Sequence, residues 1–269
     1  MPNLGDAANT STQASAKQSA FWRLRYASNP TEKWQYLGSY SGAINYNFNQ
    51  ATQRGQFLTQ ELSHFITRGY LKPTHYGFKI GATGIFQYQT DAYKPFSLTG
   101  SVGPFAKTAL SDDWFLGFEA FFQPNHNFLD PSLSDSSQRS GWDQVFRAYV
   151  APSQASPYWT PALFLTGTLM RPTGSDFSGT RINFDFANSM YLSQSWFLAQ
   201  TVGLSASRYP ERTNGERNDQ GVSAGISGGY QVTQGITLLA QLDFGHNFSS
   251  DSNFRYDRWS GTLTGNYRF

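Results

Sequence analysis

The stretch His75-Tyr76-Gly77-Phe78-Lys79-Ile80-Gly81-Ala82-Thr83-Gly84-Ile85-Phe86-Gln87-Tyr88-Gln89 decides the fold. Tyr76, Phe78, Ile80, Ala82, Phe86 and Tyr88 share one parity, and Lys79, Gly81, Thr83, Gln87 and Gln89 share the other. Successive side chains of a strand point to opposite faces, so this segment is a strand with one oily and one wet face. The same pattern recurs upstream, where Tyr40, Gly42, Ile44, Tyr46 and Phe48 oppose Ser39, Ser41, Ala43, Asn45 and Asn47. Downstream, Val222, Ala224, Ile226, Tyr230 and Val232 oppose Ser223, Gly225, Ser227, Gly229 and Gln231. Strands of this length match the 9 to 11 or so residues that cross a bilayer at a tilt.

Working outward, alternation predicts strands at 38–48, 56–66, 75–89, 95–109, 113–122, 144–151, 161–171, 181–191, 196–208, 220–232, 236–248 and 255–269. That is about twelve, with ten and fourteen as alternatives. Leu110 to Asp112, Leu192 to Ser195 and Thr233 to Gly235 are tight connections, whereas Gln123 to Asp143, Pro172 to Thr180 and Tyr209 to Asp219 are long and polar. Thr67 to Thr74 and Pro152 to Thr160 fall on the tight side yet are longer. Short turns at one end and long loops at the other are the asymmetry of a transmembrane barrel, and an even strand count places both termini in the periplasm. Residues 1–37 carry only faint alternation, at Trp22, Leu24 and Tyr26 between Arg23 and Arg25, and are expected to form a periplasmic tail or a lumen plug ahead of a barrel at 38–269.

Composition points the same way. Aromatic residues make up 17% of the 269 and charged residues only 14%, against a usual charged share of about 25%. Mean hydropathy is nonetheless polar at -0.48. A wall wetted by lipid outside and water inside needs that mixture, although an aromatic-rich soluble β-sandwich also fits alternating strands. There is no cysteine, which excludes a disulfide framework and thiolate metal sites. A net charge of +2 implies no nucleic-acid partner. No apolar run is long enough for a transmembrane helix. Met1 to Ala20 lacks the basic and apolar regions of a secretory signal, as expected of a mature or trimmed chain.

The last residues, Trp259-Ser260-Gly261-Thr262-Leu263-Thr264-Gly265-Asn266-Tyr267-Arg268-Phe269, place Trp259, Leu263, Tyr267 and a terminal Phe in one parity. This resembles the C-terminal signature of Gram-negative outer-membrane β-barrel proteins. The resemblance implies an all-β, antiparallel up-and-down transmembrane barrel in which Phe269 is an assembly signal read by the barrel assembly machinery. It also implies contact with outer-membrane lipid and lipopolysaccharide, and a periplasmic partner or larger export assembly.

By parity Lys79, Glu119, Arg147, Arg181, Asp185, Asp243, Arg258 and Arg268 fall on the wet face and are expected to line a pore. On the lipid face an Arg or Lys at mid-bilayer would cost about 2 to 4 kcal/mol. Trp114, Trp142, Trp196, Trp259 and Tyr267 lie near strand ends and are expected as interfacial anchors. The expected function is a passive channel or export conduit for a polar solute or secreted polymer, the long 123–143 loop narrowing its outer mouth. A filled structural or adhesin barrel is the alternative. Charges that pair across a small lumen would favour it.

Asn125-His126, Ser132, Ser134, Ser136 and Trp142-Asp143 resemble the active-site region of outer membrane phospholipase A, and the resemblance implies His126 and Asp143 as catalytic candidates of a lipid-directed hydrolase. The family's serine two residues after the histidine is replaced here by Phe128, which removes the nucleophile the histidine would activate. His246 and Ser249 are three apart, on opposite faces of a regular strand. Gly225-Ile226-Ser227-Gly228-Gly229 sits inside a strand, without the strand-to-helix context of a phosphate loop. His64, His75, His126 and His246 stand apart from any close His/Asp/Glu cluster, so neither a metal nor another cofactor is expected.

Overall fold

The computed structural model describes residues 17–28, 34–47, 57–69, 72–89, 92–153, 159–233 and 235–267. The strands are β1 (Lys17–Ala27), β2 (Trp34–Asn47), β3 (Phe57–Arg68), β4 (Thr74–Gln89), β5 (Ala92–Ala109), β6 (Trp114–Asn127), β7 (Gly141–Pro152), β8 (Thr160–Pro172), β9 (Gly179–Tyr191), β10 (Trp196–Tyr209), β11 (Arg217–Thr233), β12 (Ile236–Ser249) and β13 (Tyr256–Tyr267). They form one 13-stranded antiparallel sheet in chain order, each strand pairing with its neighbours in sequence. The all-β, up-and-down architecture expected from the alternation is therefore present. Among the described residues the helical turns are four short 3-10 segments, at 130–132, 135–137, 175–177 and 252–254.

The strand count differs from the expected twelve because β1 is an additional strand, and the boundary drawn between residues 37 and 38 falls inside β2. The faint alternation at Trp22, Leu24 and Tyr26 was a strand signal after all: these three pair with Gly42, Tyr40 and Gly38, while Arg23 and Arg25 pair with Ser41 and Ser39 on the other face. Residues 1–16, the remainder of the expected tail or plug, lie outside the described residues. The number of alternating strands is odd. Lys17 begins β1 and Tyr267 ends β13 at opposite ends of the sheet.

One end carries the tight connections at 110–113, 192–195 and 234–235, and the other carries the longer ones at 128–140, 173–178, 210–216 and 250–255. We call these the short-turn and long-loop ends. At the short-turn end Gly69 adopts a φ of 71°, a left-handed conformation that costs an L residue energy and glycine almost none. The Lys72 amide closes that turn on the Gly69 carbonyl at 2.8 Å. The β4–β5 hairpin is an exception to the asymmetry, because it turns tightly at 90–91 on the long-loop end. Its register shifts between Ile85 and Phe86, where β5 contains an extra residue, Phe96. As in other β-bulges the extra residue is re-aimed, and Phe96 is buried edge-on to Phe57 at 5.9 Å.

Paired residues share a face, so the registers join all strands into two continuous surfaces. On one, Leu24 neighbours Tyr40, Tyr40 neighbours Leu62, Ile80 neighbours Val102, Val102 neighbours Phe122, and Leu165, Phe184, Leu204 and Val222 follow one another. Apart from half-buried Tyr40, these large apolar side chains are exposed along the sheet. The opposite face holds the packed positions, with Phe121, Val145 and Tyr209 buried beside Ser63, Thr67, Thr166, Ser207 and Ser249. A water-soluble sheet does the reverse, burying its apolar face and wetting its polar one.

Candidate functional site: the polar face and its loop rim

Charge is partitioned between the two faces by position. Arg68, Arg171, Arg208 and Asp257 lie on the apolar face, and each is the last, second-to-last or second residue of its strand. Away from strand ends, the described Asp, Glu, Lys and Arg of the regular strand registers point to the polar face. That leaves a band free of formal charge across the middle of the apolar surface. It is bounded at the short-turn end by Trp114 and Trp196 and at the long-loop end by Trp142. Trp142 packs on Phe122 at 5.7 Å, Trp196 on Tyr230 at 4.7 Å, and Trp259, four residues into β13, on Phe244 at 4.6 Å. Tyr267 ends β13 in the parity of Trp259, and its side chain lies outside the described residues.

Lys79, Glu119, Arg147, Arg181, Asp185, Asp243 and Arg258 all share the polar face, and Arg268 and Phe269 lie outside the described residues. Each is held differently. Lys79 stands 5.3 Å from the ring centres of both Phe65 and Phe121, a cation–π clamp that fixes the ammonium between two strands. Arg147 pairs with Glu119 at 3.3 Å directly across β6 and β7. Arg181 donates to Ser207 Oγ and Tyr209 Oη, both at 3.0 Å. Asp243 accepts from Gln241 Nε2 at 2.8 and 3.0 Å. Arg258 is exposed. The face also carries Arg23, Arg25, Glu61 and Lys107, which sequence reasoning did not assign to it. The Lys107 ammonium sits 3.2 Å over the Phe115 ring.

The polar face has two textures. Over β3 to β8 it is studded with Phe57, Phe65, Phe105, Phe115, Phe121, Tyr149 and Phe164. Over β10 to β12 it is richer in Gly, Ser and Thr, although Phe197, Tyr209 and Leu239 also share it, and Asp185 and Asp243 lie above glycines. A Cβ on Gly203 would meet Asp185 Oδ1 at 2.8 Å, and one on Gly225 would meet Asp243 Oδ1 at 2.8 Å and Thr201 Oγ1 at 2.6 Å. Glycine at these positions lets carboxylates lie flat across the strand, which confirms that the Gly-rich run belongs to the wall.

At the long-loop end the connections form a fixed rim. Asp176 is its hub. Its carboxylate accepts from the Thr213 amide at 2.9 Å, the Thr213 hydroxyl at 3.0 Å and the Ser137 hydroxyl at 3.2 Å, joining three loops. Arg212 pairs with Asp251 at 2.7 Å and brings in a fourth. Arg139 lies 4.2 Å over Phe177. The 128–140 loop, inside the 123–143 segment expected to narrow the outer mouth, is thus tied down, and the Gly174 and Thr173 amides also donate to Gln138 and Ser140 carbonyls.

Partial burial pushes the Asp176 carboxyl up, but the hydrogen bonds from Thr213, Ser137 and Ser136 outweigh it and hold it below the ordinary carboxylate range. A carboxyl depressed on folding stabilises fully above its unfolded value of about 3.9 and loses that contribution as pH falls through its folded value. Amide-exchange protection at Thr213 should therefore be flat through neutral pH and fall only below about pH 4. In Asp176→Ala it should be low at every pH; full protection in that variant would remove Asp176 as the hub.

The hydrolase candidates are not assembled. His126 faces the apolar side, opposite Leu98, and Asp143 faces the polar side, opposite Gln123, so the sheet separates them. His126 Nδ1 reaches Ser140 Oγ only at 3.5 Å, and Phe128 covers its ring edge-on at 4.7 Å. Ser249 points inward to Asp219, while His246 pairs with Asp257 on the other face. Among the described residues no group of three His, Asp or Glu side chains is placed to hold a metal.

No protein-family model matches the sequence, and no curated protein matches it. Among solved structures, a chain described as a bacterial polysaccharide outer membrane secretin is similar at 12% identity, covering 93% of this chain and 91% of that one, with a TM-score of 0.40. That degree of likeness assigns neither a family nor a function.

Proposed function

We propose that this sheet is the wall of a barrel in the bacterial outer membrane and that its polar face lines a passive conduit for a polar solute or secreted polymer. The observation that carries the reading is the placement of charge: the apolar face keeps charged groups to its rims, and the polar face carries them at mid-strand. Hydrocarbon imposes that division, since a mid-bilayer charge costs several kcal/mol and a lumen charge does not. Lipid and lipopolysaccharide meet the apolar band. The assembly machinery acts on the end at Phe269, and a periplasmic partner or larger export assembly supplies the cargo.

The polar face holds more Lys and Arg than Asp and Glu, so ions should pass with a preference for anions. Reconstituted into planar bilayers, the protein should show discrete conductance steps, and Lys79→Gln combined with Arg181→Gln should shift the reversal potential toward cations. A silent bilayer would overturn the conduit. It would favour the alternative of a filled barrel acting through its surface, which the immobilised loop rim supports. The comparison with a chain lacking residues 1–16 tests a plug without removing β1.

A further inference from the structure

We infer that the apolar face carries a site for one anionic phospholipid of the leaflet at the short-turn end, with its phosphate on Arg68 and an acyl chain in a trough across β4 to β8. The inference rests on the bilayer reading above and deepens it. Arg68 is the only described strand residue with a formal charge on the apolar face at that end, since Arg171, Arg208 and Asp257 stand beside the long loops. It is exposed, and no carboxylate pairs with it among the described residues. Its register neighbours are Trp34 on β2 and Tyr76 on β4, and its guanidinium stands 5.9 Å from the Trp34 ring centre. A tryptophan and a tyrosine on either side place the cation at headgroup depth.

Trp34 and Tyr76 also form the near end of the trough, which has a volume of about 1000 Å³ and an almost wholly apolar lining. Two adjacent rows of register partners build it. Tyr76, Ala106, Phe118, Ala148 and Leu165 follow one another across β4 to β8, and Ala120, Phe146 and Gly167 run beside them. Large and small side chains alternate along each row and are out of step between the two, so Phe118 stands by Ala120, Ala148 by Phe146 and Leu165 by Gly167. The gaps over the small residues therefore join in a zigzag from β5 to β8. A Cβ on Gly167 would meet nothing within 4 Å. Glu119 and Arg147 border the trough but belong to the opposite face, where they pair with each other. From β4 to β8 is four strand spacings, about 19 Å, against about 15 Å for half the hydrocarbon core of a bilayer. The acyl chain of one leaflet, lying aslant, fills that length.

Hydrocarbon alone does not distinguish this trough from the rest of the apolar band, because lipid tails are as apolar as the side chains they touch. The charge makes the difference. A guanidinium presents its N–H donors in a fixed plane and engages phosphate oxygens two at a time. A zwitterionic headgroup offers the same phosphate but sets a second cation beside Arg68, so a net-negative lipid is favoured. A second copy of the chain fits less well. Set the same way up in the membrane, it would bring its own short-turn end to Arg68, and there the described strand residues of the apolar face include no carboxylate.

The full chain, purified in detergent and titrated with phosphatidylglycerol or phosphatidylcholine, tests the site by native mass spectrometry, which counts the lipids bound. It should retain one phosphatidylglycerol under activation that strips phosphatidylcholine. Arg68→Gln should lower the bound fraction about fivefold, the effect of one cation at a charged headgroup, whereas Arg171→Gln, beside the long loops, should leave it unchanged. Gly167→Leu, which fills the trough without touching the charge, should lower it as well. The heat-modifiable folded band on a gel shows that each variant is formed. Equal retention of the two lipids, or retention that survives Arg68→Gln or Gly167→Leu, overturns the site. So does a dimer that Gly167→Leu dissolves, because the trough then belongs to a second copy. A chain that stays in solution without detergent removes the bilayer reading itself, whereas one that inserts into vesicles and retains no lipid removes only this site.

Discussion

Ile226→Arg is expected to destabilise the membrane-inserted protein by about 2 to 4 kcal/mol, whereas Ser227→Arg, one residue along, costs less than about 1 kcal/mol. Both residues lie near the middle of β11, between the same two neighbours. Ile226 pairs with Gln200 and Leu242 on the apolar face, and Ser227 pairs with Ala199 and Gln241 on the polar one. The arginine side chain is the same in both variants, as are the strand and the depth, so the difference isolates what each face touches. Denaturant unfolding in lipid vesicles measures it, and loss of the heat-modifiable folded band on a gel is a simpler readout. Equal costs would mean that both faces meet the same solvent. In that case the outer-membrane reading fails, whatever the conductance experiment shows.

How much of this was legible in the sequence depended on how local the signal was. In β4 every assignment to the oily or the wet face made from alternation holds, because that strand has no bulge and both of its faces are regular. β1 was missed since its alternation spans only Trp22 to Tyr26, and with it Arg23 and Arg25 were left off the polar face. One omitted strand was enough to reverse the side on which the chain enters the sheet. Glu119 and Arg147 could each be placed on the wet face by parity, but their pairing follows only from the β6–β7 register, which depends on where the intervening loop begins and ends. Strands on either side of that loop are longer than expected. The rim was not legible at all. Ser137, Asp176 and Thr213 lie on three separate loops far apart in sequence, and no periodicity marks the one carboxylate that gathers the others.

The rim should fail first at Arg217. Its side chain is only 3% exposed, and the guanidinium lies between the Tyr209 and Phe254 rings at 3.9 and 3.8 Å. Nε stands 3.1 Å from Asp219 Oδ2, and that carboxylate also accepts from Ser249 Oγ at 2.6 Å. The planar cation thus ties β10 and β11 to the 250–255 loop through its two faces as well as its charge. Removing one member of a buried ion pair strands the other, so Arg217→Ala should cost about 3 to 5 kcal/mol. Arg217→Lys should recover little of this, because an ammonium keeps the charge but not the stacking plane. Replacing both partners, Arg217→Met with Asp219→Ala, should be far milder than the single change, since no charge is left buried alone. Thermal unfolding of the three variants checks the order. If Arg217→Ala proves as mild as the double replacement, the rim is held by backbone and loop contacts, and the stacked arginine merely fills space. If the order holds, the same variants in a planar bilayer show whether loosening this end of the wall converts a steady conductance into a flickering one.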